Sequence, residues 1–195
     1  AFAATIGYPV VLKGMSDKMT HKSDAGIVKV NIENESQLSR VYDEILENAH
    51  EYDPSAEIDG ILVQKMAKKG LEMIVGVKKD PVFSHQLIIG LGGIFVEILK
   101  DFSIKMMPVS DPLIKGFRRE EGINIDALLN IVKGLNRLIH DHPEIEEMDL
   151  NPIIFHGEEA TICDVRIGHG SQQIESKAHT ARTMAELSNM LNPKS

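Results

Sequence analysis

The chain has 195 residues, of which 43% are apolar, and 21 Lys and Arg against 29 Asp and Glu give a net charge of -8. That is room for one large domain or two small lobes with a filled core, and the acidic balance argues against non-specific nucleic-acid binding, which needs a basic face. The single cysteine, Cys163, excludes a disulfide framework and a Cys-rich zinc site and fits a reducing compartment, expected to be cytoplasmic, while no apolar run nears the ~20 residues needed to cross a bilayer.

Residues 8–13 (YPVVLK) are β-branched and apolar and predict a buried strand ending on Lys13. A polar stretch separates it from an alternating strand at 27–32 (IVKVNI), so the two predict a hairpin with a long loop. Asn34 is placed to cap a helix over 35–49, where Leu38, Val41, Ile45 and Ala49 recur at helical spacing. A strand at 61–66 (ILVQKM) runs into Lys68-Lys69-Gly70, read as a turn, and 71–77 (LEMIVGV) is read as its antiparallel successor. Lys79-Asp80-Pro81 turns into a strand at 86–91, followed by Gly92-Gly93 and short strands at 95–99 and 102–109. Leu128, Leu129, Val132, Leu135 and Ile139 share one face of a helix over 125–140. A strand at 145–155, interrupted by Asn151-Pro152, turns at His156-Gly157 and returns over 160–167, before a last helix at 175–191. Strands fill the middle and helices flank them, which makes an α+β fold with largely antiparallel sheets.

Four stretches have the residue types for chemistry. Lys13, at a strand end before a Gly-containing loop, can set an ammonium on a phosphate; the plain alternative is a solvated lysine. In the loop itself His21 is a nucleophile near neutral pH and Lys22 can offset phosphate charge, although an ordinary polar loop would read the same. In GLGGIFVEILKD, Gly92 and Gly93 would let backbone N–H groups approach phosphate oxygens, or simply make a tight strand connection, and Glu97 within an apolar run needs a cationic partner. Asn151 and Asp164, on strands joined by a turn, converge as hard oxygen ligands suited to Mg²⁺, with Arg166 beside them to neutralise phosphate; the bland reading is a hairpin with polar surface residues.

In order along residues 6–167, the stretches IGYPVVLK, HKSDAGIVKV, GILVQKM, LEMIVGVKKDPVF, GLGGIFVEILKD, EIEEMDLNPI and CDVRI resemble the ATP-grasp β subunit or domain of NDP-forming (ADP-forming) acetyl-CoA and acyl-CoA synthetases. The resemblance implies the reaction acyl-CoA + ADP + phosphate ⇌ acid + CoA + ATP, with a phosphohistidine loop carrying the phosphoryl group from a CoA-binding partner to Mg²⁺-bound nucleotide. It places Lys13 near the phosphates and Gln64, Lys65 and Met66 on a hinge strand at the adenine. Glu72 becomes the acidic residue of the next strand, Asn151 and Asp164 the magnesium ligands, and His21 a participant in the relay. Residues 1–80 would form a nucleotide-binding lobe, 81–174 a catalytic and metal lobe, and 175–195 a helix and linker toward a CoA-binding domain. The tail MAELSNMLNPKS looks like the opening of that domain, so the chain is expected to be part of a longer fusion.

Two departures stand out: Gly26-Ile27 replaces a pair of glycines, and Ser110 runs directly into Asp111 where relatives carry a helical stretch. The partner is expected to be the CoA-binding domain or α subunit, with a homo-oligomer open and neither nucleic acid nor membrane as a ligand. The alternative is a non-catalytic nucleotide-sensing or interaction module with the same fold.

Overall fold

The computed structural model describes residues 2–16, 25–55, 57–92, 102–115 and 123–169. The chain divides into two compact units, Ala1–Met66 and Ala67–Ser195.

The first unit opens on a short helix, α1 (Phe2–Ile6), too brief for the periodicity argument to find. Strands β1 (Val10–Met15), β2 (Val28–Ile32) and β3 (Gly60–Lys65) form an antiparallel sheet in the order β2-β1-β3. Helix α2 (Glu35–Tyr52) covers one face of it. It starts after Asn34, whose backbone is still extended and whose Oδ1 accepts from the Gln37 N–H at 2.9 Å, satisfying one of the orphan donors of the first turn. Val41, Ile45 and Ala49 then point inward, as their spacing requires, onto Val10, Leu12 and Ile32.

Among its described residues the second unit holds a six-stranded antiparallel sheet. Strands β4 (Leu71–Asp80), β5 (Ser84–Leu91), β6 (Phe102–Met106), β7 (Ile145–His156) and β8 (Glu159–Ile162) run in the order β6-β5-β4-β7-β8, and β9 (Val165–His169) also pairs with β7. A short helix, α3 (Asp111–Lys115), precedes α4 (Ile125–Asp141). One sheet face, carrying Met73, Val75, Leu87, Ile89, Leu150 and Ile153, packs against the apolar stripe of α4. Alternation along each strand sends the intervening residues to the opposite, open face.

Three readings change. The strands at 61–66 and 71–77 are not a hairpin: β3 belongs to the three-stranded sheet, and β4 lies between β5 and β7 in the other. Because β4 bonds to β5 and β7, the units part after Met66, and 67–80 does not belong with the first lobe. The return over 160–167 is two strands, β8 and β9, separated at Cys163-Asp164. The strand at 95–99 and the helix at 175–191 lie outside the described residues.

Leu135 is fully buried in the second core. Leu135→Ala is expected to lower the unfolding free energy by about 2–5 kcal/mol, measured by chemical denaturation; a loss well under 1 kcal/mol would contradict the packing of α4.

Candidate functional site

Lys13 sits in the middle strand of the first sheet, opposite Val28 and Leu62. Side chains directly opposite on antiparallel strands share a face. Gly14 belongs to the α2 side: a Cβ there would stand 3.1 Å from Ile27 and 3.2 Å from Ile45. Lys13 therefore leaves from the other side, where it is only 7% exposed. Gln64, opposite Val11, lies on the same side as Lys13, half-buried. Lys65 pairs with the fully buried Val10 and so has its side chain on the α2 side, at an exposed edge. Only its backbone is shared with the Lys13 side. The Met66 N–H donates to the Pro9 carbonyl at 3.1 Å. Ile27, the residue in place of a glycine, is fully buried against Gly14 and fills the core, pointing away from Lys13. His21, Lys22, Gly93 and Glu97 lie outside the described residues.

In the second unit the chemistry gathers on β7. Its pairing with β4 passes from Met73↔Ile153 to Val75↔Leu150, so one residue of β4 faces two of β7, Asn151 and Pro152. This is a bulge, a feature that re-aims side chains and interrupts a ladder. On its other edge the partner chain breaks at the same level. The Asn151 N–H donates to the Asp164 carbonyl at 3.2 Å and the Cys163 N–H to the Pro152 carbonyl at 2.9 Å. Asn151 and Asp164 thus meet across the hairpin, as the turn between the strands implied.

The same face holds two acids that reasoning on motifs alone did not single out. Asp149 pairs with Arg166 and Glu147 with Gly168, so Asp149, Glu147 and Arg166 share the open face. Burial pushes the Asp149 carboxyl up from its ordinary value; Arg166 and a hydrogen bond with Asn151 oppose that shift, and the charges of Asp164 and Glu147 add to it. The signal was present in the sequence: Glu147, Asp149 and Asn151 alternate with Met148 and Leu150, the pattern of one polar strand face.

Glu72 is exposed on β4, opposite Ile154 and likewise on the open face. Its carbonyl accepts from the Gly92 N–H at 2.7 Å, and a Cβ on Gly92 would lie 3.1 Å from the Glu72 carbonyl carbon. Gly92 therefore serves the strand connection, and its amide is spent on Glu72 rather than offered to an anion.

Among the described residues no group of three His, Cys, Asp or Glu has metal-holding geometry. A magnesium ion needs fewer protein ligands than that, because water and phosphate fill most of its octahedron. The residue types fit such an ion: the Asn151 amide oxygen, the Asp164 carboxylate on the strand connection beside it, and the Asp149 carboxyl, whose charged form burial disfavours. Among the described residues no helix is long and apolar enough to cross a membrane.

A buried strand lysine on one antiparallel sheet, and oxygen donors at a bulge on a second, are parts suited to holding a nucleotide and its metal. A family model described as "ATP-grasp domain" matches residues 1–168, and the chain belongs to that family. Its relatives include β subunits of ADP-forming acetate–CoA ligases. It is 42% identical over 182 residues to the ADP-forming acetate–CoA ligase II subunit beta of Pyrococcus furiosus, across 85% of this chain and 77% of that one. Two solved structures of a dinucleotide-forming acetyl-coenzyme A synthetase 1 from Ca. Korarchaeum cryptofilum are similar. One, with coenzyme A and Ca-AMPCP, is 41% identical with a TM-score of 0.78, over 85% of this chain and 78% of that one. The other, with coenzyme A and Mg-AMPPCP, has its phosphohistidine segment pointing towards the nucleotide binding site; it is 36% identical with a TM-score of 0.67, over the same 85% and 78%.

The shift at Asp149 has a stability consequence. A carboxyl whose value is raised by folding holds more protons folded than unfolded, so stability falls as pH rises above the ordinary carboxylate range. Asp149→Asn is expected to unfold at a higher temperature than the parent at pH 7 without metal, with the gap closing as the pH is lowered. A lower melting temperature at pH 7 would contradict the placement of Asp149.

Proposed function

We propose that this chain is the nucleotide-binding part of an ADP-forming acyl-CoA synthetase, an acid–thiol ligase, and that it passes a phosphoryl group between ADP or ATP and a phosphohistidine of a CoA-binding partner. The net reaction is acyl-CoA + ADP + phosphate ⇌ acid + CoA + ATP. The observation that carries the proposal is the pairing of Asn151 with Asp164 at the β7 bulge, on a chain whose relatives include ADP-forming acetate–CoA ligase β subunits. A related synthetase bound to Mg-AMPPCP, with a phosphohistidine segment turned to its nucleotide site, supports the same reading.

Phosphoryl transfer asks a protein mainly for positioning and charge neutralisation. In this proposal Asn151 and Asp164 hold Mg²⁺, which when bound neutralises charge on the phosphates. Lys13 supplies a cation that needs little reorganisation, since its side chain is already withdrawn from solvent in the sheet. Arg166, paired with Asp149, is kept beside the metal ligands and offsets phosphate charge. The strand end Gln64 to Met66 meets the base, with Glu72 on the next strand. His21 and Lys22 take part in the relay. The partner is a separate α subunit or a fused CoA-binding domain, and acyl selectivity resides there.

Titration calorimetry tests this proposal. The isolated chain is expected to bind ADP in a Mg²⁺-dependent manner and to show no turnover until the CoA-binding partner is added. Asn151→Ala with Asp164→Ala should remove the magnesium dependence. Lys13→Met should weaken binding by about 10- to 100-fold, the range for one hydrogen-bonded charge on phosphate. No heat and no thermal shift at millimolar Mg·ADP would count decisively against the proposal.

A further inference from the structure

Leu150 is fully buried in the core of the second unit, so Asp149 and Asn151 on either side of it leave toward the open face. The Asn151 backbone is settled at the bulge: its N–H donates to the Asp164 carbonyl at 3.2 Å, and the register of β7 with β4 steps over it. That does not settle the side chain. An amide has two unlike ends, an oxygen that accepts and an NH2 that donates, and a half-turn about the last bond exchanges them. A hard cation is met only by the oxygen. Asp149 decides the exchange. The Asn151 side chain hydrogen-bonds to the Asp149 carboxyl and favours its charged form. A bond that favours a carboxylate is donated to it, so the NH2 is the end turned to Asp149. Arg166 stands directly opposite Asp149 on β9. A guanidinium donates and cannot accept, so Arg166 holds the carboxylate but cannot take over the NH2.

We propose that Asp149 is a positioning residue: it takes the NH2 of the Asn151 amide and thereby presents the amide oxygen to the cation. This rests on the reading above, in which Asn151 and Asp164 hold Mg²⁺. Asp149 then contributes to metal binding through Asn151 and is not itself a ligand. The two roles differ in what they require at position 149. Orienting the amide requires an acceptor there, charged or neutral, whereas ligating the ion draws on the negative charge. An amide at 149 keeps an oxygen that accepts from Asn151. An aliphatic side chain removes the acceptor, and the Asn151 amide is then free to turn its NH2 to the ion.

The experiment measures binding of Mn²⁺ with inorganic pyrophosphate to the intact chain, followed by loss of the free Mn²⁺ electron paramagnetic resonance signal. Asp149→Asn is expected to bind within about threefold of the parent, since a neutral acceptor replaces a charged one. Asp149→Leu should bind about 10- to 100-fold more weakly, the range for losing a partner that orients a metal ligand; a cooperative melting transition confirms that it folds. The Asn151 side-chain NH2 pair is read by NMR without metal. One of its protons should be shifted downfield by the hydrogen bond in the parent and in Asp149→Asn, and both should stand at free-amide positions in Asp149→Leu. Equal losses of Mn²⁺ binding in Asp149→Asn and Asp149→Leu would assign the effect to charge and overturn the proposal, and so would parent affinity in Asp149→Leu. Parent affinity in Asn151→Ala would instead sink the metal reading, and the positioning role with it, while leaving the NH2 pattern of the parent and the Asp149 variants as described.

Discussion

The site depends on a phase break in one strand. From Glu147 to Leu150, β7 alternates, with Met148 and Leu150 in the core and Glu147 and Asp149 out. After the bulge it alternates again with Ile153 and Phe155 inward. Two residues absorb the shift, Asn151 and Pro152, and the facing chain breaks at Cys163-Asp164 so that Asn151 still finds a backbone partner in Asp164. Without the bulge, regular pairing of β7 with β4 would continue through Asn151, and Asn151 would not meet Asp164 at a gap in the ladder. The core on the far side of the sheet fixes both halves of the strand, so the break cannot relax.

Each unit has the construction its task needs. In the first, α2 and Ile27 fill one side of a small sheet so completely that the middle strand presents Lys13 from the other side with almost no exposure. In the second, α4 takes the apolar side of the sheet, and polar and charged residues collect opposite it. Burial raises the Asp149 carboxyl there, and in the function proposed above a divalent cation would offset the negative charge of the cluster. The low stability contributed by such clusters is a common cost of binding sites.

Much of this was legible in the sequence, for physical reasons. Asn34 and the spacing of Val41, Ile45 and Ala49 specify α2 because capping and 3.6-residue periodicity are local. That the backbones of Asn151 and Asp164 lie side by side followed from one short turn, a local constraint too. What failed was non-local. Lys68-Lys69-Gly70 looks like hairpin chemistry, yet Gly70 is there because Phe155, distant in sequence, crosses it. A glycine required for space and one required for a turn are identical on the page. Gly92 carried the same ambiguity, and its amide belongs to Glu72. Asp149 was visible as one of an alternating set, but its significance came only with Arg166 placed across from it.

The central claim is that Asn151 and Asp164 hold a divalent cation beside bound nucleotide. Substituting Mn²⁺ for Mg²⁺ in the ADP complex and following paramagnetic broadening of the amide resonances addresses it most directly, since broadening falls off steeply with distance from the ion. The account predicts that Asn151, Asp164 and Asp149 broaden first, with β5 and β6 spared at low Mn²⁺ and the effect lost in Asp164→Ala. Broadening centred elsewhere on the chain, with these three residues sharp, would contradict it.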